Sequence, residues 1–132
     1  MEGVLKKLRY GGQERVLVAN PPDELKVLAA ALSAEGASVD AEPRGSYGWS
    51  IVFVKSLAET EDLASVASGL IEDDGILWLA YPKGTSKRYS VDVNRDTAWS
   101  LFEGTGVRLV AQVSIDDDWS AMRLRRVEFS KA

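Results

Sequence analysis

Lys55 and Lys83 each stand just past an apolar run: Ile51-Val52-Phe53-Val54 before the first, Ile76-Leu77-Trp78-Leu79-Ala80-Tyr81 before the second. Runs without polar alternation are the pattern of parallel strands covered on both faces. In an open sheet of that kind, ligands settle beyond the carboxyl ends of the strands, where the strand order reverses. That rule selects Asn20, Lys55, Ser56, Tyr81 and Lys83 as candidate ligand-binding residues. Two ammonium groups and the free amides of a helix starting at Ser56 would suit a phosphate or a carboxylate. If the chain acts on such an anion, Lys83 would clamp its charge and Asp92 or Asp96 would serve as acid or base. The competing reading makes both lysines solvated strand ends, because a fold-level rule is a weak warrant for function.

Other chemistry-bearing residues have a plainer alternative beside the functional one. The run Asp116-Asp117-Asp118 could hold a divalent cation, but in a hairpin loop such a run more often serves solvation. Trp119 could stack on a ligand or plug the sheet, and the plug is the better reading because large aromatics dominate core energetics. Trp78 belongs to the core, and Trp49 and Trp99 are expected to be partly buried. Arg123, Arg125 and Arg126 read as charges that keep an edge strand from pairing with another molecule.

Composition narrows the chemistry further. The 132 residues include no cysteine and no histidine, which removes thiolate nucleophiles, disulfides and the commonest general base and metal ligand. No catalytic residue and no metal site can be named. A net charge of -4 argues against nucleic-acid binding, which depends on a basic face. The absence of a long apolar stretch and of a signal-peptide pattern points to a cytoplasmic protein, with no membrane association expected. The length and a 45% hydrophobic content fit a single α/β domain over residues 1–132.

The elements that must position these residues follow from pattern. Val4, Leu5 and Leu8 suggest a short first helix, and Val16-Leu17-Val18-Ala19 a first buried strand stopped by Asn20-Pro21-Pro22. A helix is expected over 22–35, with Asp23 and Glu24 at its positive end and Gly36 as its stop. Residues 38–42 make a weak second strand and 43–48 a loop. That loop is short for the usual crossover between parallel strands, so strand two is either a short edge or pairs differently. Ser56 with Glu59 forms a capping box, and Leu63, Val66, Ala67, Leu70 and Ile71 fall on one face of the helix that follows. Residues 82–90 form a polar loop, the segment whose composition most favours movement. Asn94 or Asp92 caps a third helix containing Ala98, Leu101 and Phe102. Val107, Leu109, Ala111, Val113 and Ile115 alternate with polar residues as a strand with one buried face, returning through 120–129 as an antiparallel hairpin. Met122 and Leu124 share a face with Val127 and Phe129 only if a β-bulge stands at Arg125-Arg126.

Four segments carry a family likeness: RVLVANPP at 15–22, IVFVKSLAE at 51–59, DDGILWLAYPK at 73–83 and DDDWSAMRL at 116–124. On these, and over most of its length, the chain resembles a small family of bacterial proteins with a degenerate class I methyltransferase-like, Rossmann-type fold. The resemblance implies a three-layer, mostly parallel sheet of five to six strands with a C-terminal antiparallel hairpin. It also implies a glycine-rich cofactor motif after strand one, where this chain has Ala19-Asn20-Pro21-Pro22. Prolines provide neither the amide donors nor the close backbone approach of glycines. No cofactor is therefore expected, and the first function to consider is a non-catalytic binding or regulatory module. The alternatives are a small enzyme acting on an anionic metabolite and a self-associating structural protein. The partner would be a small anionic ligand or a protein, with the chain a monomer or a homodimer.

Overall fold

The computed structural model describes residues 1–90 and 92–130. Its centre is a six-stranded mixed sheet in the order β2-β1-β3-β4-β6-β5. The strands are β1 (Arg15–Ala19), β2 (Ser38–Asp40), β3 (Tyr47–Phe53), β4 (Ile71–Pro82), β5 (Val107–Ser114) and β6 (Trp119–Arg126). β2, β1, β3 and β4 run parallel, and β6 is antiparallel to both β4 and β5. The helices are α1 (Glu2–Lys7), α2 (Val27–Ala34), α3 (Leu57–Ala64), α4 (Ala67–Leu70) and α5 (Arg95–Phe102).

Each central strand is buried on both faces because its neighbours in sequence supply helices to both sides. Val16, Val18, Trp49, Ile51, Phe53, Trp78 and Ala80 pack with Leu5, Leu8, Leu28 and Leu32 of the first two helices. Leu17, Ala19, Val52, Leu77, Leu79, Met122 and Leu124 pack with Leu63, Leu70, Ala98 and Phe102 of the last three. The indole N–H groups of Trp49 and Trp78 both donate to the Leu8 carbonyl, at 2.8 and 2.7 Å, so the end of α1 is tied to the sheet. From β1 the chain steps one way along the sheet and from β3 the other, which puts the reversal of strand order between β1 and β3.

The short join is real. β2 pairs only through Ser38, Val39 and Asp40, against Arg15, Val16 and Leu17, and residues 41–46 return directly to the start of β3 with β1 between. Arg15 holds this connection: its guanidinium donates to the carbonyls of Arg44 and Ser46, pairs with Asp40 at 3.1 Å and lies 4.3 Å from the Tyr47 ring centroid. The Tyr47 hydroxyl donates to Asp40 at 2.6 Å, and that bond, ahead of the Arg15 charge, holds the Asp40 carboxyl below the usual range. A crossover helix is absent from this connection.

Several expectations need correction. The helix over 22–35 is a 3₁₀ turn, Asp23–Leu25, followed by α2, and the stretch after Ser56 breaks at Ser65 and Val66 into α3 and α4. Val66 is therefore exposed, not on a continuous buried face. β3 begins at Tyr47, and β4 begins at Ile71, because residues 72–75 loop out of the β3–β4 pairing between Tyr47 and Trp49. Trp49 is fully buried, whereas Trp99 is exposed and its indole N–H donates to Glu103. Asn94, not Asp92, caps α5, with Thr97 completing the capping box.

No bulge stands at Arg125-Arg126, which pair regularly with Arg108 and Val107. β6 ends at Arg126, and Val127–Phe129 leave as a 3₁₀ turn with Val127 and Phe129 exposed. The irregularity lies instead on the partner strand, between Leu109 and Ala111. An extra residue there reverses the alternation of β5, so Val107 and Leu109 meet the α3–α5 side while Val113 and Ile115 meet the α1–α2 side. The arginines of β6 are also not at an edge, since β5 lies outside them. Arg125 makes a bidentate pair with Asp74, Arg126 pairs with Glu128, and Arg123 keeps a buried Nε without a hydrogen-bond partner among the described residues.

Candidate functional site

On the α1–α2 face, the ends of β3 and β4 are covered by the chain's own side chains. The segment after β4 folds back so that the Tyr89 ring packs edge-on against Trp119 at 5.1 Å, while Trp119 packs against Phe53 at 5.4 Å. Glu24, in the 3₁₀ turn after the two prolines, accepts hydrogen bonds from the Tyr89 hydroxyl at 2.5 Å and the Trp119 indole at 3.2 Å. It also pairs with Arg88 at 3.2 Å. The Lys55 ammonium lies 5.5 Å from the centre of the Tyr89 ring, a cation–π contact. Ser86 supports the fold-back, donating to Asp118 at 2.7 Å and accepting from the Arg88 and Tyr89 amides.

Electrostatics follow from this cluster. The Tyr89 hydroxyl is the largest influence on Glu24, and together with the indole and guanidinium donors it lowers the carboxyl to about 2 against the opposing effect of burial. Tyr89 is pushed up, first by burial and then by its bond to Glu24. A carboxylate depressed in the folded state contributes stability that is complete above its unfolded value, near 4.5, and that fades as pH falls toward 2. Between pH 5 and pH 3 the chain should lose about 1–2 kcal/mol more than a Glu24→Gln variant, after discount for the partial exposure of the carboxylate. Urea unfolding of both proteins across that window measures the difference.

The five candidate residues do not converge. Asn20 takes a left-handed turn after β1 (φ 58°) and is exposed. Ser56 caps α3, its hydroxyl accepting from the Glu59 amide at 3.1 Å, while the Glu59 carboxylate bonds the Lys55 amide at 2.7 Å in place of the Ser56 amide that a capping box would use. The Leu57 amide is taken by Asp92 at 2.9 Å. Carboxylates of the chain itself thus sit where the α3 amides were expected to meet an external anion. Tyr81 is buried on the α5 side, its hydroxyl accepting from Gln112 at 2.7 Å, and burial raises it. Lys83 turns toward the β5–β6 turn and donates to Ser114 at 2.6 Å. Asp116 accepts from the Asp118 and Trp119 amides at 2.8 Å, so the acid run shapes that turn. Among the described residues, no three carboxylates converge where a cation could be held.

Glu24 and Tyr89 were the residues that sequence reasoning missed. Glu24 reads as one more acid in a first turn, and Tyr89 as one residue in a polar loop. The only signal was an aromatic among cations, a pattern with no period.

A second feature lies on the opposite face, at the ends of β1 and β3 where the strand order reverses, and Asn20 lines it. A groove of about 260 Å³ runs between the 41–43 segment and α3, with Ala19, Val52, Val54, Leu63 and Leu70 against it and Glu42, Glu59 and Asp62 at its rim.

No protein-family model matches the sequence, and no curated protein matches it. Solved structures do match the fold. The N-methyltransferase NodS from Bradyrhizobium japonicum aligns over 95% of this chain and 93% of its own at 12% identity, with a TM-score of 0.55. A putative type 11 methyltransferase from Sulfolobus solfataricus aligns over 95% and 90% at 9% identity, with a TM-score of 0.53. The [4+2]-cyclase SpnF aligns over 95% and 78% at 7% identity, with a TM-score of 0.56. Identities this low carry the fold and no activity. The chain has a class I methyltransferase-like, Rossmann-type fold.

Proposed function

We propose that this chain is a non-catalytic binding or regulatory module on a methyltransferase-like scaffold, and that it does not use S-adenosylmethionine. The observation that carries the reading is the Glu24–Tyr89–Trp119 cluster, which covers the ends of β3 and β4 on the α1–α2 face. Two further features agree with it. Pro21 and Pro22 offer no amide donors where a cofactor's polar groups would need them. The first amides of α3 are already bonded to Asp92 and Ser56. The residues present therefore do not fit the cofactor that the fold suggests.

NodS has been solved in complex with S-adenosyl-L-homocysteine, so that compound and S-adenosylmethionine are the proper test ligands. Thermal unfolding with either at millimolar concentration should leave the midpoint unchanged. A ligand present at a hundred times its dissociation constant would add ~2.7 kcal/mol, a rise of several degrees for a chain this size. Such a rise would overturn the reading.

A further inference from the structure

The arginines of β6 do not guard an edge, which leaves their charge to be explained. Arg123 stands opposite Trp78 and two residues past Ala121, both packed on the α1–α2 face, so its side chain lies on that face with Arg125 beside it. The charges that bear on Arg123 are those of Arg9, just past α1, and of Arg125, with Asp74 opposing them. That carboxylate is already held by Arg125 through two bonds of 2.6 Å. Arg9 and Arg123 belong to no ion pair among the described residues, and the buried Arg123 Nε has no hydrogen-bond partner there. On the next strand Arg108 stands directly opposite Arg125, like charge against like.

These placements oppose folding. Burial, and then the charges of Arg9 and Arg125, push Arg123 below the ordinary guanidinium value. Arg9 takes a left-handed backbone, φ 59°, at a helix end closed by its own amide on the Lys6 carbonyl and the Tyr10 amide on the Leu5 carbonyl. Glycine is the usual residue at that position, because a Cβ is crowded there. The fold alone would favour glycine at position 9 and an apolar side chain at position 123. A chain with a net charge of -4 thus gathers uncompensated guanidinium groups at one place, and local conflicts with the fold of this kind mark sites kept for function.

We propose that Arg9 and Arg123 dock an acidic segment of a partner protein, whose carboxylates serve them as Asp74 serves Arg125. Guanidinium forks suit carboxylates because two parallel N–H bonds match two oxygens. Arg9 is exposed, and β5 is the last strand of the sheet, paired with β6 alone among the described residues. An extended segment can therefore lie along the outer backbone of β5 while its side chains reach inward. The residue of β5 opposite Arg123 is Ala111, small enough to leave the guanidinium within reach. A long polyanion is disfavoured by the net negative charge of the whole chain. The inference names a partner class for the binding module proposed above and rests on that reading. The two fail separately, since cofactor binding would raise the unfolding midpoint with no peptide present.

The test is an amide chemical-shift titration of the isotope-labelled chain with a capped hexaglutamate peptide, against hexaglutamine, inorganic phosphate and a hexathymidylate strand. Saturable shifts are expected at Arg9, Ala111, Arg123 and Arg125. Arg9→Gly and Arg123→Met should each weaken binding at least about fivefold, while Lys87→Gln should leave it unchanged. Neither arginine variant should lower the unfolding midpoint, because glycine relieves the left-handed turn and methionine keeps the apolar stem. No saturable shift, undiminished affinity or a lowered midpoint in either arginine variant, or an equal loss in Lys87→Gln would each overturn the inference. So would binding of hexaglutamine, phosphate or hexathymidylate as tight as that of hexaglutamate. Concentration-dependent shifts at Arg123 without any peptide would overturn it too, showing a second copy as the occupant.

Discussion

Trp119→Ala is expected to destabilise the chain by about 3–5 kcal/mol, the range for removing a large aromatic from a packed interior. The indole is fully buried, touches the rings of Phe53 and Tyr89, and gives its N–H to Glu24. Its loss leaves a cavity, removes a donor from the half-buried Glu24 carboxylate and takes away the surface on which Tyr89 rests. Equilibrium urea unfolding measures the first effect. Hydrogen exchange of the Arg88 and Tyr89 amides measures the last, and those amides should exchange faster than in a Trp119→Phe variant, which keeps part of the ring contact. Unchanged exchange in Trp119→Ala would mean that the fold-back is held by Ser86 and Asp118 alone.

Gly75→Ala should cost about 3 kcal/mol, the upper end of overpacking, although it adds one methyl group. A Cβ at this position would lie 2.7 Å from the Glu72 carbonyl oxygen and 2.8 Å from that of Tyr47. Both are backbone atoms, so neither can swing away as a side chain would. The site is where residues 72–75 loop out of the β3–β4 pairing, and relieving the clash would pull the ladder apart at its start. Thermal unfolding should show a midpoint about 10 °C lower. Gly69→Ala is the control, because nothing lies within 4 Å of the added atom there.

Much of the fold was legible before any coordinates. The unbroken apolar runs ending near Phe53 and Tyr81 have the pattern of strands buried on both faces, and the helix before them carried a clear stop signal at Gly36. The start of α3 was equally plain, since Ser56 caps it as expected. The β-bulge expected at Arg125-Arg126 is absent for a simple reason. β6 stops at Arg126, and Val127 and Phe129 turn away exposed, so the apolar pair that called for a change of phase never enters the sheet. The extra residue in β5 instead changes the phase of β5's own alternation.

The candidate site was legible only as a set of positions. Local pattern does place Asn20, Lys55, Ser56 and Lys83 at strand ends, because a strand's direction and end are properties of consecutive residues. What those residues do depends on which distant side chain comes within hydrogen-bond reach. Lys83 finds Ser114 thirty-one positions away, Leu57 finds Asp92 thirty-five away, and Trp119 finds Glu24 ninety-five away. The sequence by itself determined the layers, the missing glycine loop and the absence of histidine and thiol chemistry. Only the tertiary structure decided that Tyr89 covers the ends of β3 and β4 on one face and that an apolar groove opens at the ends of β1 and β3 on the other. Both arise from chain crossings, and a crossing brings together residues that no local period relates.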